Sequence, residues 1–364
     1  MKIIIDSYIP YIKGALDAFA DVEYIPHQQI TNGKVRNADA LIVRTRTQCG
    51  EALLKNSRVK FIASATIGYD HIDAEYCRKN GIAWTNAPGC NAVSVAQYMA
   101  SVLSFLQLRK NFDLPKAVIG VVGVGAVGSK IASLARSFGM RVLLNDPPRE
   151  RREKNGDFVS LDRICEESDI ITFHTLLNAS GEDKTLHLAD ESFFNRLKRK
   201  PVIVNAARGE IVSTKALLKA VDNGKVGEAI LDCWENEPDI NLELLAKATL
   251  ATPHIAGYSA DGKANAATQS VQATSRFFGL GIDDWRVESL PEVFQLAFEK
   301  DLSFPQFFIN TYNVEADSAL LKSTPSGFEQ QRSNYPFRRE PKAYLNRMEA
   351  GFSKQIKKQF EVFF

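Results

Sequence analysis

The stretch "AVIGVVGVGAVGSKIASLARSFGMRVLLND", Ala117 to Asp146, decides the fold. An apolar, β-branched run leads into Gly123-Val124-Gly125-Ala126-Val127-Gly128, and an alanine-rich helical pattern follows at once. Each glycine meets a separate need of a strand–turn–helix that receives a pyrophosphate. Gly123 permits the tight turn, Gly125 lets the backbone approach the anion, and Gly128 lets the helix pack close to the strand. The helix start at Ala126 and Val127 offers N–H groups and the positive end of its dipole. A lone G-x-G-x-x-G is weak evidence. Here a second strand, "RVLLN", and an acid, Asp146, follow in order, with the acid about 20 residues past the glycines. A carboxylate there accepts hydrogen bonds from a ribose 2′-OH and repels a 2′-phosphate, so the cofactor expected is NAD. Arg149, close by, argues the other way.

Outward from this unit, short β-branched runs alternate with helical patterns, which predicts parallel sheets covered by helices on both faces. Before it, strands are expected at "KIIID", "VEYIP", "ALIVR", "KFIASA" and "IAWTN", and "SVAQYMASVLSFLQLRK" reads as a long amphipathic helix linking two units. After "AVIGVVG" come "RVLLN", "DIITFH", "PVIVNAA", "EAILD" and "ATLATP". The fold class expected is α/β, with two doubly wound parallel-sheet domains in tandem. Residues 285–364 differ: they hold 11 of the 22 phenylalanines, so this tail is expected to fold and bury them in a core or a subunit interface.

Composition narrows the function classes. With 45 Lys+Arg against 43 Asp+Glu, the net charge of +2 gives no electrostatic case for nucleic acid. No run of about 18 apolar residues could span a bilayer, and "MKIIIDSYIP" reads as a first strand, being too short in apolar residues for a signal peptide. The five cysteines are scattered and form no C-x-x-C pair, which predicts a reducing compartment, the cytoplasm, and no metal.

In open α/β sheets ligands sit beyond the carboxyl ends of the strands. Arg208 follows "PVIVNAA" and its Ala206-Ala207, Asp232 ends "EAILD" with Glu235 and Glu237 after it, and His254 follows "ATLATP". Oxidising a secondary alcohol needs a base for the hydroxyl proton while hydride leaves the carbon, and histidine suits that role. A carboxylate partner orients the ring, and an arginine fork binds a substrate carboxylate. Together the three predict a 2-hydroxy acid as substrate. Each also has a plain structural reading: a surface arginine, a solvated loop acid, a packed strand-end histidine. Spacing alone does not choose between Glu235 and Glu237. Of the other histidines, His174 deserves notice because it ends a strand of the cofactor unit.

The segments "VVGVGAVGSKIA", "VNAARGEIVSTKALLKAV", "LDCWENEP" and "TPHIAGYS" resemble the D-2-hydroxyacid dehydrogenase family. The resemblance covers about residues 40–280. It implies a flavodoxin-like substrate domain (1–93 and 258–284), an inserted Rossmann NAD domain (94–257), and catalysis by Arg208, Glu237 and His254. "NAPGCNA", "KTLHLADE" and the tail's "NYPFRRE" resemble a narrower branch, which oxidises a phosphorylated four-carbon 2-hydroxy acid in the route to pyridoxal phosphate. From that branch the resemblance implies substrate contacts at Thr45, Thr66 and Tyr258, and NAD contacts at Asp146, Thr175, Asp232 and Gly257. It also implies a small C-terminal α+β domain, 285–364, that makes a homodimer. A substrate with two anionic ends needs further positive charge, and Arg44 and Arg46 are candidates for its phosphate. Arg338 and Arg339 are candidates to reach a partner subunit's cleft. The chain departs from the wider family at Gln97, usually glutamate, and at Leu176, usually proline. Rival readings are a sister enzyme acting on glycerate or 3-phosphoglycerate, and a non-catalytic NAD(H)-sensing protein on the same fold.

Overall fold

Strands form at each of the expected apolar runs in the computed structural model, which describes residues 1–293, 303–336, 338–345 and 363. The chain divides into two compact units, Met1–Asn91 with Ser259–Glu292, and Ala92–Tyr258 with Val293–Phe364. The first is built on β1 (Lys2–Asp6), β2 (Asp21–Ile25), β3 (Ala40–Val43), β4 (Phe61–Ser64) and β5 (Ala83–Thr85). They pair in parallel in the order β2-β1-β3-β4-β5, the flavodoxin-like arrangement. A parallel sheet is covered on both faces, so its strands are apolar throughout. In "KIIID" successive side chains point to opposite faces. Ile3 and Ile5 join a core with Ala267 and Val271 of the Ala260–Phe278 helix, while Ile4 joins the opposite core with Leu41 and Leu54.

The second unit holds β6 (Val118–Val122), β7 (Arg141–Asn145), β8 (Ile170–Phe173), β9 (Val202–Asn205), β10 (Glu228–Leu231) and β11 (Leu250–Ala251). All pairs are parallel, in the order β11-β10-β9-β8-β6-β7. Beyond β7 a single parallel bridge joins Leu144 to Phe158. With that bridge counted, the dinucleotide-binding order 3-2-1-4-5-6 is present, its third strand reduced to one residue. The order reverses between β6 and β8, which makes their carboxyl ends the switch point where such folds bind ligands.

The Ala92–Arg109 helix corrects the amphipathic expectation, because every residue from Ser94 to Leu106 is buried. The Ala126–Ser137 helix packs against it, and so does the tail helix Phe304–Thr311. The polar residues that made it look amphipathic bond to the tail. Ser94 Oγ donates to Glu340 Oε1 (2.7 Å), Gln97 Nε2 to the Arg339 carbonyl (3.0 Å) and Ser101 Oγ to the Tyr312 carbonyl (2.7 Å). Spaced i, i+3 and i+7, they lie along one helix face.

The tail's described helices are Phe304–Thr311, Val314–Ser323, Phe328–Ser333 and Lys342–Leu345, and the strands of the expected α+β domain are not among its described residues. An eight-residue helix is unstable alone. Phe304, Phe307 and Phe308, at most 5% exposed, anchor the first one, each burial contributing about 1.5–3 kcal/mol. The Val314–Ser323 helix covers the two-residue edge strand β11, where the Ala251 N–H donates to Ser318 Oγ at 3.0 Å. Of the tail's phenylalanines, Phe304, Phe307, Phe308, Phe328 and Phe363 are buried in this unit; the other six lie outside the described residues.

Candidate active site

The glycine loop follows β6 and has the shape its sequence predicts. Gly123 takes φ +86°, and a Cβ there would stand 2.7 Å from the backbone of His174 and Thr175, so the loops after β6 and β8 touch. A Cβ on Gly128 would lie 1.9 Å from the Gly123 carbonyl oxygen, which sets the close helix–strand approach. On the outer side nothing stands within 4 Å of a Cβ on Gly125, leaving the backbone open to a ligand. Gly125 caps the Ala126–Ser137 helix without a side-chain bond, so the first-turn N–H groups of exposed Ala126 and half-buried Val127 face no protein acceptor from the cap.

Asp146 ends β7. Its Oδ2 accepts from the Val124 N–H (2.8 Å) and its Oδ1 from the Arg149 N–H (3.0 Å), which fixes the carboxylate against the glycine loop. The Arg149 fork is bound twice by Glu153, at 2.7 and 2.8 Å, and that pairing holds the Glu153 carboxyl down at about 2. Committed in this way, Arg149 does not counter the preference for a 2′-OH. Thr175 Oγ1 is buried without a hydrogen-bond partner beside the glycine loop, an atom that a bound group can satisfy. These residues fit NAD. His174 donates or accepts at Nε2 with Thr172 Oγ1 (2.9 Å), and burial pushes its pKa down to about 3. It is therefore a neutral ring at the strand end.

The catalytic candidates leave three adjacent strands, β9, β10 and β11. Asn205 Nδ2, at the end of β9, donates to the carbonyls of Arg208 (2.8 Å) and Cys233 (3.4 Å), joining the loops after β9 and β10. Gly209 brings them closer still: a Cβ there would stand 1.9 Å from the Trp234 carbonyl oxygen. Arg208 is half-buried, and its Nη1 donates to the Ala207 carbonyl at 2.8 Å. Ala206 is half-buried and Ala207 buried in the same turn.

Glu237 bonds His254, and Glu235 does not. His254 Nδ1 lies 2.7 Å from Glu237 Oε2, while Glu237 Oε1 accepts from the Trp234 N–H at 2.8 Å. Burial pushes the Glu237 carboxyl up, but the His254 charge and hydrogen bond, the Trp234 N–H and Arg332 outweigh it and hold it below its usual value. Glu235 instead pairs with His187 at 2.6 Å and accepts from the Thr214 N–H, on the outer surface. Cys233 Sγ, Glu237 and His254 offer ligand atoms within 4.8 Å of one another. Burial pushes the Cys233 thiol well above its usual range.

His254 takes φ +55°, a left-handed conformation uncommon outside glycine. Asp232 holds it there. The Asp232 carbonyl accepts from the His254 N–H (2.8 Å), and its carboxylate accepts from Ile255 N–H (2.8 Å), Ala256 N–H (2.9 Å) and Thr252 Oγ1 (2.7 Å). Asp232 is 1% exposed, and burial raises its pKa. Gly257 and Tyr258 complete the turn, both half-buried.

Two tail arginines reach this turn, and sequence reasoning missed the first. Arg332 Nε donates to Tyr258 Oη at 3.2 Å, and its Nη1 lies 3.6 Å from Glu237 Oε2. No motif surrounds it in "EQQRSN". Arg338 corrects its expected role, because it is 6% exposed inside its own unit. Its Nη2 donates to the Ala256 carbonyl at 2.6 Å, and its guanidinium stacks on the Tyr312 ring at 4.2 Å.

Thr45, Thr66 and Arg44 belong to the other unit, at the carboxyl ends of β3 and β4. Thr45 is exposed. Thr66 Oγ1 bonds Ser64 Oγ at 2.7 Å, and Ser64 Oγ reaches His71 Nε2 at 3.0 Å. Arg44 Nε is held by buried Asp6 at 2.9 Å, with its guanidinium 5.4 Å above the Tyr8 ring.

Residues 100–256 match the family described as "D-isomer specific 2-hydroxyacid dehydrogenase, NAD binding domain". The chain is 53% identical over 345 residues to an erythronate-4-phosphate dehydrogenase of Bacteroides thetaiotaomicron, covering 94% of this chain and 98% of the relative. It is 41% identical over 349 residues to the protein of that name from Porphyromonas gingivalis, covering 94% and 95%. Among solved structures it resembles the D-lactate dehydrogenase of Aquifex aeolicus complexed with NAD and lactic acid. The TM-score is 0.66 at 26% identity, over 77% of this chain and 96% of that one.

Proposed function

The chain belongs to the D-isomer-specific 2-hydroxyacid dehydrogenase family and is an NAD-dependent dehydrogenase, and from that premise we propose that it oxidises 4-phospho-D-erythronate to 2-oxo-3-hydroxy-4-phosphobutanoate, in the route to pyridoxal phosphate. The observation that carries the mechanism is the 2.7 Å bond between His254 Nδ1 and Glu237 Oε2. With Nδ1 committed to the carboxylate, Nε2 is left to take the substrate's hydroxyl proton. NAD, when bound, supplies the hydride acceptor. Arg208 binds the substrate carboxylate and polarises the oxygen that becomes the ketone. Thr45, Thr66 and Tyr258 hold the rest of the substrate, and Arg44 serves its phosphate end. The glycine loop, Asp146, Thr175, Ala206, Ala207 and Gly257 line the cofactor. Asp232 contributes by keeping the His254 turn in its left-handed form, and its placement beside that turn also suits a cofactor contact.

We further propose a homodimer made through 285–364, supported by the resemblance of "NYPFRRE" in that segment to the narrower branch. A cytoplasmic location suits five buried cysteines that form no disulfide. No described helix is long and apolar enough to cross a membrane. The test follows reduced nicotinamide by absorbance when the protein meets 4-phosphoerythronate and NAD, with a 2-oxo acid as alternative electron acceptor. Turnover of glycerate or 3-phosphoglycerate with none of phosphoerythronate refutes the substrate. Light scattering that returns the 40.4 kDa chain mass rather than twice it refutes the dimer.

A further inference from the structure

Glu237 Oε2 has two nitrogen partners. His254 Nδ1 lies 2.7 Å from it, and Arg332 Nη1 approaches the same oxygen to 3.6 Å. The other oxygen, Oε1, is taken by the Trp234 N–H. Arg332 comes from the last turn of the Phe328–Ser333 helix, which buried Phe328 (1% exposed) anchors in the core. Its side chain is 18% exposed, its Nε donates to Tyr258 Oη, and its guanidinium sits 6.0 Å from the centre of the Tyr258 ring. The guanidinium is thus gripped on two sides, by a residue expected to touch substrate and by the carboxylate that orients the base.

We propose that Arg332 is a positioning residue of the acid–base pair, sharing the Glu237 carboxylate with His254 so that the ring stays ready to accept a proton. The inference rests on the reading of Glu237 and His254 as that pair. An imidazolium leans on the carboxylate charge for its stability. A guanidinium already drawing on the same oxygen weakens that support and repels the new charge, while leaving the neutral ring's hydrogen bond in place. The other charged and titratable groups facing the pair are Asp232, Cys233 and Arg208 from the strand-end loops, Tyr258 from the turn, and Glu329, which acts on Arg332 from its own helix. Glu237 makes ion pairs only with His254 and Arg332 among the described residues, so Arg332 alone competes for Oε2.

The test compares wild type, Arg332→Gln and Arg332→Lys by the pH dependence of kcat/KM for oxidation. Loss of the guanidinium charge makes the base easier to protonate. The acid limb of the Arg332→Gln profile is therefore expected to move up by about 0.5–1 pH unit, with kcat/KM about 3–10-fold lower on that limb and recovering at alkaline pH. Arg332→Lys keeps the wild-type limb. A merely structural role lowers activity equally at every pH, and that result overturns the proposal. A second readout needs no substrate. Among five histidines, the ring signal that disappears in His254→Asn is followed by NMR against pH. Its transition should move up in Arg332→Gln, and an unmoved transition in a variant that still binds NAD also overturns the proposal. Should wild type turn over no 2-hydroxy acid, the functional reading fails and the NMR titration still decides the role of Arg332.

Discussion

Adding one methyl group at Gly209, a residue with no chemistry of its own, should disable catalysis while sparing the cofactor. A Cβ there would stand 1.9 Å from the Trp234 carbonyl oxygen, 2.0 Å from its carbon and 2.4 Å from the Glu235 nitrogen. Unstrained contacts to carbon begin near about 3.5 Å, so the two loops must part by more than about 1 Å. All three atoms are backbone, so no side chain can swing aside. One loop carries Arg208 and the other Glu237, and a displacement of about 1 Å costs about 10²-fold in rate. Gly209→Ala should therefore lower kcat/KM about 100-fold, equivalent to about 2.7 kcal/mol of transition-state stabilisation. Overpacking should destabilise the fold by about 1–3 kcal/mol, leaving it folded. NADH affinity, measured by fluorescence titration, should fall less than about tenfold, because only Ala206 and Ala207 share the displaced loop while the glycine loop, Asp146 and Thr175 follow β6, β7 and β8. Gly33→Ala, with nothing within 4 Å of its Cβ, serves as the control. The reasoning is refuted if Gly209→Ala retains kcat/KM within about threefold, or if NADH affinity falls in step with rate.

Gly125→Ala gives the opposite pattern: with open space around its Cβ, stability should hold within about 0.5 kcal/mol while NAD binding weakens about tenfold or more. Unchanged affinity by titration calorimetry would remove Gly125 from the cofactor contact. His174 makes stability depend on pH. Its folded pKa of about 3 lies below the unfolded value near 6.5, so the folded chain binds fewer protons and loses stability as pH falls. From this group the loss runs at about 1.4 kcal/mol per pH unit below about 6.5, or about 2 kcal/mol by pH 5. Urea unfolding of wild type and His174→Gln at pH 7 and 5 checks it; parallel losses in both proteins would show that the ring is not responsible.

The two sheets were legible because parallel strands buried on both faces are apolar throughout: "KIIID" and "VIGVV" have few alternatives. The positions of the candidate catalytic residues were legible because each follows such a run, where strand ends deliver them. The choice of Glu237 over Glu235 was not legible from spacing, since it depends on which way two acids two residues apart are turned. The chain between them passes through Asn236 at φ +62°, which reverses that direction. The tail was the least legible part. Its short helices are held by core contacts, and Arg332 and Arg338 act over sequence separations of 74 and 82 residues. Their partners are an exposed-looking tyrosine and a backbone carbonyl, neither of which leaves a pattern in the chain. The same cause misled the reading of the Ala92–Arg109 helix, whose polar stripe looked solvated and is covered.

That stripe makes Gln97 a fastening for the tail. Its amide donates to the Arg339 carbonyl, and the side chain is wholly enclosed. A glutamate there would set an acceptor against the Arg339 carbonyl, where the amide now donates. This hold of the tail on the helix therefore passes through a neutral amide, and it is lost wherever that amide cannot donate.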